Sequence, residues 1–411
     1  MKYSDKHTPN RVVITGMGLV SSLGSNVSDV WQKMSGGISG IKEITHFDTS
    51  DIPCKYAGWV SEFEEVYSWG RMDRYLAKNT KMIANASISA LKDASYDQEK
   101  PITTDFGMIL GSAFGNYHKT SIWYQKFARD GFNGVTPMDS IDAGYNSAMD
   151  HVAIILKAKG VHKLLATGCA SSLDAIGSAF HCLKNGRASI LISGGYENIF
   201  RELCYFFSIK GLLAAPADVQ SFIGPFDRSA SGMLPGEGCA AVILENIEHA
   251  TERHARMYAE VVGFSKAFVT VNDDDGTVDA LLQVMINALQ NGGVLPDQID
   301  YICASGNGNA RWDRIEARAL QKVFNYNTIY TSSIKGAFGE LYGASGVVQT
   351  IMSIMSMRSN LIPGTQGCRN PIIEGNPKAL TCTNIKHDIS HILINSFDCF
   401  GFVSCLIIKK I

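Results

Sequence analysis

Residues 166–186 read ATGCASSLDAIGSAFHCLKNG, and this segment carries the strongest pattern in the chain. Apolar side chains recur through it at helical spacing, namely Leu173, Ile176, Phe180 and Leu183. With a glycine as the C-terminal stop, the segment predicts a helix that begins near Cys169 and ends before Gly186. Backbone N–H groups and the helix dipole favour a thiolate at such a position, and the thiolate is the reactive form of cysteine. The alternative for any one of ten cysteines is a small buried apolar residue.

β-branched runs alternate with helical stretches along the whole chain, which is typical of an α/β protein. We predict strands within 11–18, 106–113, 188–195, 240–246, 258–264, 300–306, 328–333 and 391–397, and a helix over 277–289. Two similar halves that meet near residue 250 would account for the length of 411 residues. The predicted division is an N-terminal half over 1–250 and a C-terminal half over 251–411.

The composition excludes several classes of function. Since 37 Lys and Arg residues balance 39 Asp and Glu residues, no charge excess indicates nucleic acid or an anionic membrane as a partner. The polar N-terminus and the lack of an apolar run of ~20 residues predict a cytoplasmic protein with no membrane span. The cysteines form no CxxC pair, which argues against a zinc ribbon and a disulfide framework. We expect no metal site.

Several motifs, in order along nearly the whole chain, resemble those of the β-ketoacyl-acyl-carrier-protein synthase family. They are RVVITGMGLVSSLG at 11–24, CASSLDAIG at 169–177, ISGGYEN at 192–198 and FDRSASGMLPGEGCAAVILE at 226–245. The resemblance implies a thiolase fold, with two pseudo-repeated halves in a layered α/β/α/β/α arrangement, and an obligate dimer. It also implies that Cys169 takes an acyl group from a carrier protein. No cofactor would be bound, because acyl or malonyl phosphopantetheine arrives on the acyl carrier protein.

The chain departs from this family at both histidines that assist decarboxylation of the malonyl substrate. Ser305 stands at the first histidine position, in ASGNGN at 304–309. Glu340 stands at the second, in a segment that keeps the family's Lys335 five residues earlier. An imidazole can donate a hydrogen bond to a developing oxyanion, whereas an ionised carboxylate repels it. The alternative for Glu340 is a solvated or ion-paired helix residue.

Other positions near the expected site also differ from the family. Asn307 and Asn309 replace threonines that usually bond the pantetheine arm, and Gln349 replaces a common glutamate. The family's C-terminal gate reads INSFDCFGF at 394–402 here, which puts Cys399 at the gating phenylalanine. By resemblance, the backbone N–H groups of Cys169 and Cys399 would form an oxyanion hole, while the Cys399 side chain would serve packing.

These departures are similar to those of chain-length factors, the non-condensing subunits of type II polyketide synthases. Pro235, the run at 313–320 and ELYG at 340–343 carry that likeness. We therefore expect a heterodimer with an active ketosynthase subunit, in synthesis of an aryl-polyene or aromatic polyketide. Familiar chain-length factors usually replace the cysteine, which this chain retains. Two alternatives stay open: an acyltransferase that uses Cys169 with Glu340 as general base, and an unusual active β-ketoacyl synthase.

An aromatic-rich stretch lies where ketosynthases build the subunit interface beside the acyl tunnel. It includes Tyr117, Trp123 and Phe127, for which we predict a role at the tunnel or the interface. Bulky side chains there would set the tunnel length by excluded volume. The alternative is ordinary interface packing.

Overall fold

The computed structural model describes residues 10–96, 105–324, 329–372 and 383–411. The strands are β1 (Val12–Ser21), β2 (Ile41–Glu43), β3 (Tyr56–Gly58), β4 (Gly107–Gly111), β5 (His162–Leu165), β6 (Ile190–Glu197), β7 (Gly238–Asn246), β8 (Ala259–Phe268), β9 (Tyr301–Cys303), β10 (Tyr330–Ser332), β11 (Leu361–Ile362), β12 (Ile385–Lys386), β13 (His391–Phe397) and β14 (Phe402–Lys409). The helices are α1 (Val27–Ser35), α2 (Lys78–Asp93), α3 (Tyr117–Asp130), α4 (Ser147–Leu156), α5 (Ser171–Lys184), α6 (Arg201–Ile209), α7 (Ile247–Glu252), α8 (Asp274–Gly292), α9 (Ala310–Phe324), α10 (Lys335–Phe338) and α11 (Ser345–Ser359).

The main sheet contains the same five-strand pattern twice. Its order is β10-β9-β13-β14-β8-β1-β7-β6-β4-β5. In the first half, β1 runs antiparallel to β7 and β7 antiparallel to β6, while β6, β4 and β5 are parallel. In the second half, β8, β14, β13, β9 and β10 repeat these directions in the same order. The halves join where β1 pairs with β8, over the three residues that begin with Val12.

Helices cover the sheet in layers. Helices α5 and α11 pack against each other and contact strands of both halves, so they form the central layer. Residues 345–357 of α11 are all buried, which is expected of a helix enclosed on every side. The outer faces are covered by α2 and α4 on the first half and by α8 and α9 on the second. The apolar side chains between these layers form the core.

The predicted α/β class, repeated halves and layered arrangement are confirmed by this topology. The predicted strands and the helix at 277–289 are present, although β10 is described only from the part of its run after residue 328. The division at residue 250 stays a prediction. Cys382 lies outside the described residues, and no disulfide joins two of the described cysteines. Within the described ranges, no helix is long and apolar enough to cross a bilayer, and no cluster of His, Cys, Asp and Glu suits a metal ion.

Candidate active site

Cys169 lies in the turn that leads from β5 into α5. The turn is a short 3-10 helix over Gly168–Ala170, and α5 follows it directly. The four apolar residues predicted for one face of this helix are all buried, and the chain leaves the helix before Gly186, as expected. The hydroxyl of Ser396 donates to the carbonyl oxygen of Cys169 at 2.9 Å. This bond ties the turn to β13, so both halves of the fold position the cysteine.

The surroundings of Cys169 favour the thiol over the thiolate. Burial, followed by the charges of Glu340 and Asp398, raises the pKa of Cys169 well above its usual value. The ammonium group of Lys335 acts in the opposite direction but does not compensate. Desolvation and two neighbouring carboxyl groups therefore act against the thiolate that the helix terminus was expected to favour, and the reactivity of Cys169 stays a prediction.

A small cavity opens beside Cys169. Its volume is about 30 Å³, which suits one or two water molecules. The polar and sulfur-containing side chains on its wall belong to Cys169, Ser305, Asn307, Asn309, Asp313, Tyr342, Asp398, Cys399 and Met233. Its apolar wall is largely aromatic, with Phe114 and Phe207 packed against Tyr342. Lys335 and Glu340 do not line this cavity.

Lys335 and Glu340 form a buried ion pair behind the cavity wall. The Lys335 ammonium group donates to Oε2 of Glu340 at 2.8 Å, and the two residues are only 3% and 1% exposed. Oε2 also accepts from the side-chain amide of Asn307 at 2.9 Å. Oε1 accepts from the backbone N–H of Tyr342 at 3.0 Å and from the Ser345 hydroxyl at 2.6 Å. Four donors therefore hold the carboxylate, so Glu340 is ion-paired, although it lies after the end of α10 and is not the helix residue of the alternative.

The ionisation state of Lys335 follows from its burial and from the charge beside it. Burial alone would lower the pKa of Lys335, but the carboxylate of Glu340, with smaller contributions from other neighbours, outweighs burial and the pKa is raised. An ammonium ion is therefore the stable form of Lys335.

Ser305 lies on the cavity wall, where it links the ion pair to β13. Its hydroxyl oxygen accepts from the backbone N–H of Phe397 at 3.2 Å and from Lys335 at 3.4 Å. The backbone N–H of Ser305 donates to Glu316 at 3.0 Å. Burial raises the pKa of Glu316 to about 7, although backbone and side-chain donors partly offset this. Ser305 thus lies on the cavity wall, as expected for the position of the family's first histidine. Unlike an imidazole, its hydroxyl group has no proton that it can readily give up at neutral pH.

Asp398 is a buried carboxyl group on the cavity wall, 4% exposed. Its Oδ1 accepts from the backbone N–H groups of Phe400, Gly401 and Phe402 at 2.9–3.0 Å. Its Oδ2 is buried and has no hydrogen-bond partner among the described residues. This oxygen lies against Gly168, where φ is +56° and an added Cβ would overlap it. Burial raises the pKa of Asp398 despite the three N–H donors.

The sequence reasoning missed Asp398, since it treated the segment at 394–402 only through Cys399. The available signal was an acidic residue inside an otherwise apolar run that ends a buried strand. Cys399 is half-buried and lines the cavity with Cys169, and burial raises the pKa of its thiol to about 12. The predicted pair of oxyanion-hole amides stays a prediction.

The other departures from the family have local structural roles. Asn309 caps α9, because its side-chain oxygen accepts from the N–H groups of Arg311 and Trp312 at 3.2 and 3.3 Å. Gln349 is buried in α11, and its amide donates to the carbonyl oxygens of Ala304 and Asn395 at 2.9 and 3.0 Å. It therefore ties the central helix to the strand ends that carry the site.

The predicted tunnel residues Tyr117, Trp123 and Phe127 lie on α3, and none of them lines the cavity beside Cys169. Trp123 and Phe127 stack with ring centroids 5.7 Å apart, while Tyr117 is 55% exposed. No residue of α3 is buried. The structure thus places this aromatic stretch on an open face of the chain.

Comparison with known proteins finds two family matches. The model for the N-terminal domain of β-ketoacyl synthases matches residues 9–250, and that for the C-terminal domain matches residues 258–369. Among curated proteins, a 3-oxoacyl-(acyl-carrier-protein) synthase 2 of Coxiella burnetii is 31% identical over 88% of this chain and 89% of its own length. A protein of the same name from Vibrio cholerae is 29% identical over 97% of this chain and 99% of its own.

Solved structures share the fold over almost the whole chain. A β-ketoacyl synthase from Burkholderia phymatum has a TM-score of 0.90 at 24% identity, covering 98% of this chain and 100% of that chain. The ishigamide ketosynthase/chain length factor has a TM-score of 0.89, also at 24% identity and with the same coverage.

Proposed function

Because the chain belongs to the β-ketoacyl synthase family, we propose that it is a chain-length-factor-like subunit, which pairs with an active ketosynthase and does not itself catalyse decarboxylative condensation. The pathway would be type II polyketide synthesis of the aryl-polyene or aromatic kind. The observation that carries this proposal is the Lys335–Glu340 ion pair, which stands where the family has a condensing histidine.

Condensation needs a hydrogen-bond donor for the enolate that forms when malonyl carrier protein loses CO₂. Glu340 has both oxygens occupied by donors and does not line the cavity. Ser305 reaches the cavity but has no group that is acidic near neutral pH. Since one general acid or base contributes roughly 10²–10⁴ in rate, the loss of both histidines leaves little condensation.

The same geometry weighs against the acyltransferase with Glu340 as its base. A general base must reach the proton that it removes. The carboxylate of Glu340 is committed to Lys335, Asn307, Tyr342 and Ser345, behind the wall on which Cys169 lies.

Two open surfaces support pairing with another subunit. Strand β5 is one edge of the main sheet, and among the described residues it pairs with β4 alone. His162 and Lys163 on this strand are exposed. An unpaired edge is a ready site for strand addition. The aromatic face of α3, with Tyr117 and Tyr124 55% and 60% exposed, is a second such surface. An acyl carrier protein, bearing acyl or malonyl phosphopantetheine, would be the third component.

The second candidate is an active β-ketoacyl synthase with an unusual set of residues. It is favoured by the curated relatives, which are named as 3-oxoacyl-(acyl-carrier-protein) synthases. The two candidates differ in what the chain does alone.

The test combines native mass spectrometry with product assays. The chain is mixed with a ketosynthase that keeps the cysteine and both histidines, together with acyl and malonyl carrier proteins. We expect a heterodimer, β-ketoacyl product only when both subunits are present, and nearly full turnover with Cys169→Ala. Removal of the ketosynthase's own cysteine should abolish product. Product from this chain alone, a homodimer that ignores the ketosynthase, or loss of turnover with Cys169→Ala would each refute the proposal.

A further inference from the structure

A further cavity lies at the C-terminal end of α11, while the other end of this helix adjoins the candidate active site. Its volume is about 330 Å³, which is in the range of small-molecule sites. Met355 and Arg358 of α11 line it, whereas Ser345 at the start of the helix bonds to Glu340. A helix of 15 residues is about 22 Å long. The cavity shares no lining residue with the one beside Cys169, so the two are separate.

Two arginine side chains on the wall of this cavity contact the same aromatic ring. The guanidinium carbons of Arg256 and Arg358 lie 5.8 and 5.0 Å from the ring centroid of Tyr258. Arg256 also donates from Nη1 to the Tyr258 hydroxyl at 3.1 Å. Both arginines are exposed, and neither forms an ion pair with a carboxylate of the described residues. The two guanidinium groups are therefore held on one ring and keep donors available for a ligand.

The other polar groups on this wall also leave donors open. Among the described residues, Asp93 alone supplies a carboxylate to the wall, and each of its oxygens already accepts a hydrogen bond. The donors to it are the Tyr258 hydroxyl at 2.7 Å and the backbone N–H of Met17 at 2.9 Å. The serine hydroxyls make no hydrogen bond to the described residues, and they belong to Ser25, Ser28 and Ser89. A ligand rich in acceptor oxygens therefore finds two guanidinium groups and three hydroxyl groups.

We infer that this cavity binds a phosphate group, of inorganic phosphate or of a small phosphate ester. Guanidinium groups match phosphate oxygens in geometry and bind them through charge-assisted hydrogen bonds. A phosphate ester carries about −1.5 to −2 charges at pH 7, which suits two arginines on one wall. Met17, Val27 and Met355 supply an apolar surface for an ester group. The site uses neither Cys169 nor a second subunit, so it does not rest on the proposed function.

A purely structural role for the two arginines would give a different result. A guanidinium group on an aromatic ring is stabilising by itself, and a basic residue in the last turn of a helix complements the helix dipole. With these roles alone, Arg358→Gln would lower Tm and leave the affinity for phosphate unchanged. If Arg358 binds phosphate, the same substitution weakens binding whatever it does to Tm.

Isothermal titration calorimetry of the purified chain tests this with inorganic phosphate, phenyl phosphate and acetate, at neutral pH and matched ionic strength. Arg256→Gln and Arg358→Gln should each weaken phosphate binding about 10–100-fold, because hydrogen bonds to a charged group are lost. Acetate, with a single charge, should bind at least about tenfold more weakly than phosphate. The control Arg318→Gln removes the same charge at a side chain that is 48% exposed and does not line the cavity. It should change the affinity by less than about twofold, because salt screens distant charges.

Thermal unfolding with phenyl phosphate is a second measurement. Phosphate ions stabilise many proteins because they are excluded from the surface, so the variants supply the comparison. The expected result is a rise in Tm that Arg318→Gln keeps and Arg358→Gln loses. Tighter binding of phenyl phosphate than of inorganic phosphate would identify the ligand as an ester, and the reverse order as the free ion. No binding of either phosphate, acetate bound as tightly as phosphate, or equal affinities in Arg358→Gln and Arg318→Gln would each overturn the inference.

Discussion

The buried ion pair predicts a large loss of stability when one partner is neutralised. Glu340→Gln keeps the shape of the side chain but leaves the ammonium group of Lys335, only 3% exposed, without its anion. Breaking a buried pair in this way costs about 3–5 kcal/mol. For a chain of 411 residues, the corresponding fall in Tm is about 4–6 °C. The double variant Lys335→Met with Glu340→Gln should recover most of this loss, because no unpaired charge remains.

The pH dependence of this loss has a definite sign. Glu340 raises the pKa of Lys335 in the folded protein, so the contribution of the pair is complete below the lysine's ordinary pKa of 10.5 and is lost as pH rises through the higher folded value. Burial lowers that pKa, and loss of Glu340 removes the largest charge that opposes burial. The stability gap between Glu340→Gln and the unaltered chain is therefore largest near neutral pH and narrows toward pH 10.

Calorimetry or thermal circular dichroism, measured from pH 7 to 10, tests both the fall in Tm and its dependence on pH. The matched control is Asp279→Asn, which breaks the pair with Lys322 at 2.7 Å on an exposed surface. That change should cost under about 1 kcal/mol, because the pair is hydrated. A fall in Tm for Glu340→Gln no larger than for Asp279→Asn, or a double variant less stable than the single one, would refute the reasoning.

Two further predictions concern the turn and the open face. In thermal unfolding, Gly168→Ala should destabilise the fold by about 2–4 kcal/mol, because the strain of a positive φ and the overlap of the new Cβ with Asp398 add. The control Gly293→Ala has φ +62° and open space around it, so it should cost only about 1–2 kcal/mol. Equal losses of stability in the two variants would contradict this reasoning. Tyr117→Ala or Trp123→Ala should lengthen the product of an intact heterodimer, as measured by mass spectrometry. An unchanged product distribution would show that these side chains do not set the length of the tunnel.

The local pattern around Cys169 made its helix predictable. Helical spacing and a terminal glycine are properties of neighbouring residues, and α5 ends at Lys184 as they require. The ionisation of Cys169 was not predictable in this way. It depends first on burial and then on Glu340 and Asp398, which are far away in the sequence and are brought near by β13 and the segment before α11.

The contrast between local sequence patterns and contacts of distant residues also applies to the rest of the site. Matching motifs located Ser305, Lys335 and Glu340, and the structure brings them together. The motifs did not reveal that Glu340 is withdrawn from the cavity, because orientation depends on donors supplied by several loops. Asp398 escaped notice because its burial and its unpartnered oxygen can be seen only in three-dimensional contacts.

The position of β1 bears on how the chain reaches its native state. Val12 pairs with Asn246 in β7 and with Val261 in β8, so β1 has no partner strand until β7 and β8 have been synthesised. Such distant pairings slow folding, and unpaired apolar strands aggregate in the meantime. A nascent chain of this protein would thus need protection for its N-terminal strand throughout synthesis, and expression yield should depend on chaperone supply more than on the stability of the finished fold.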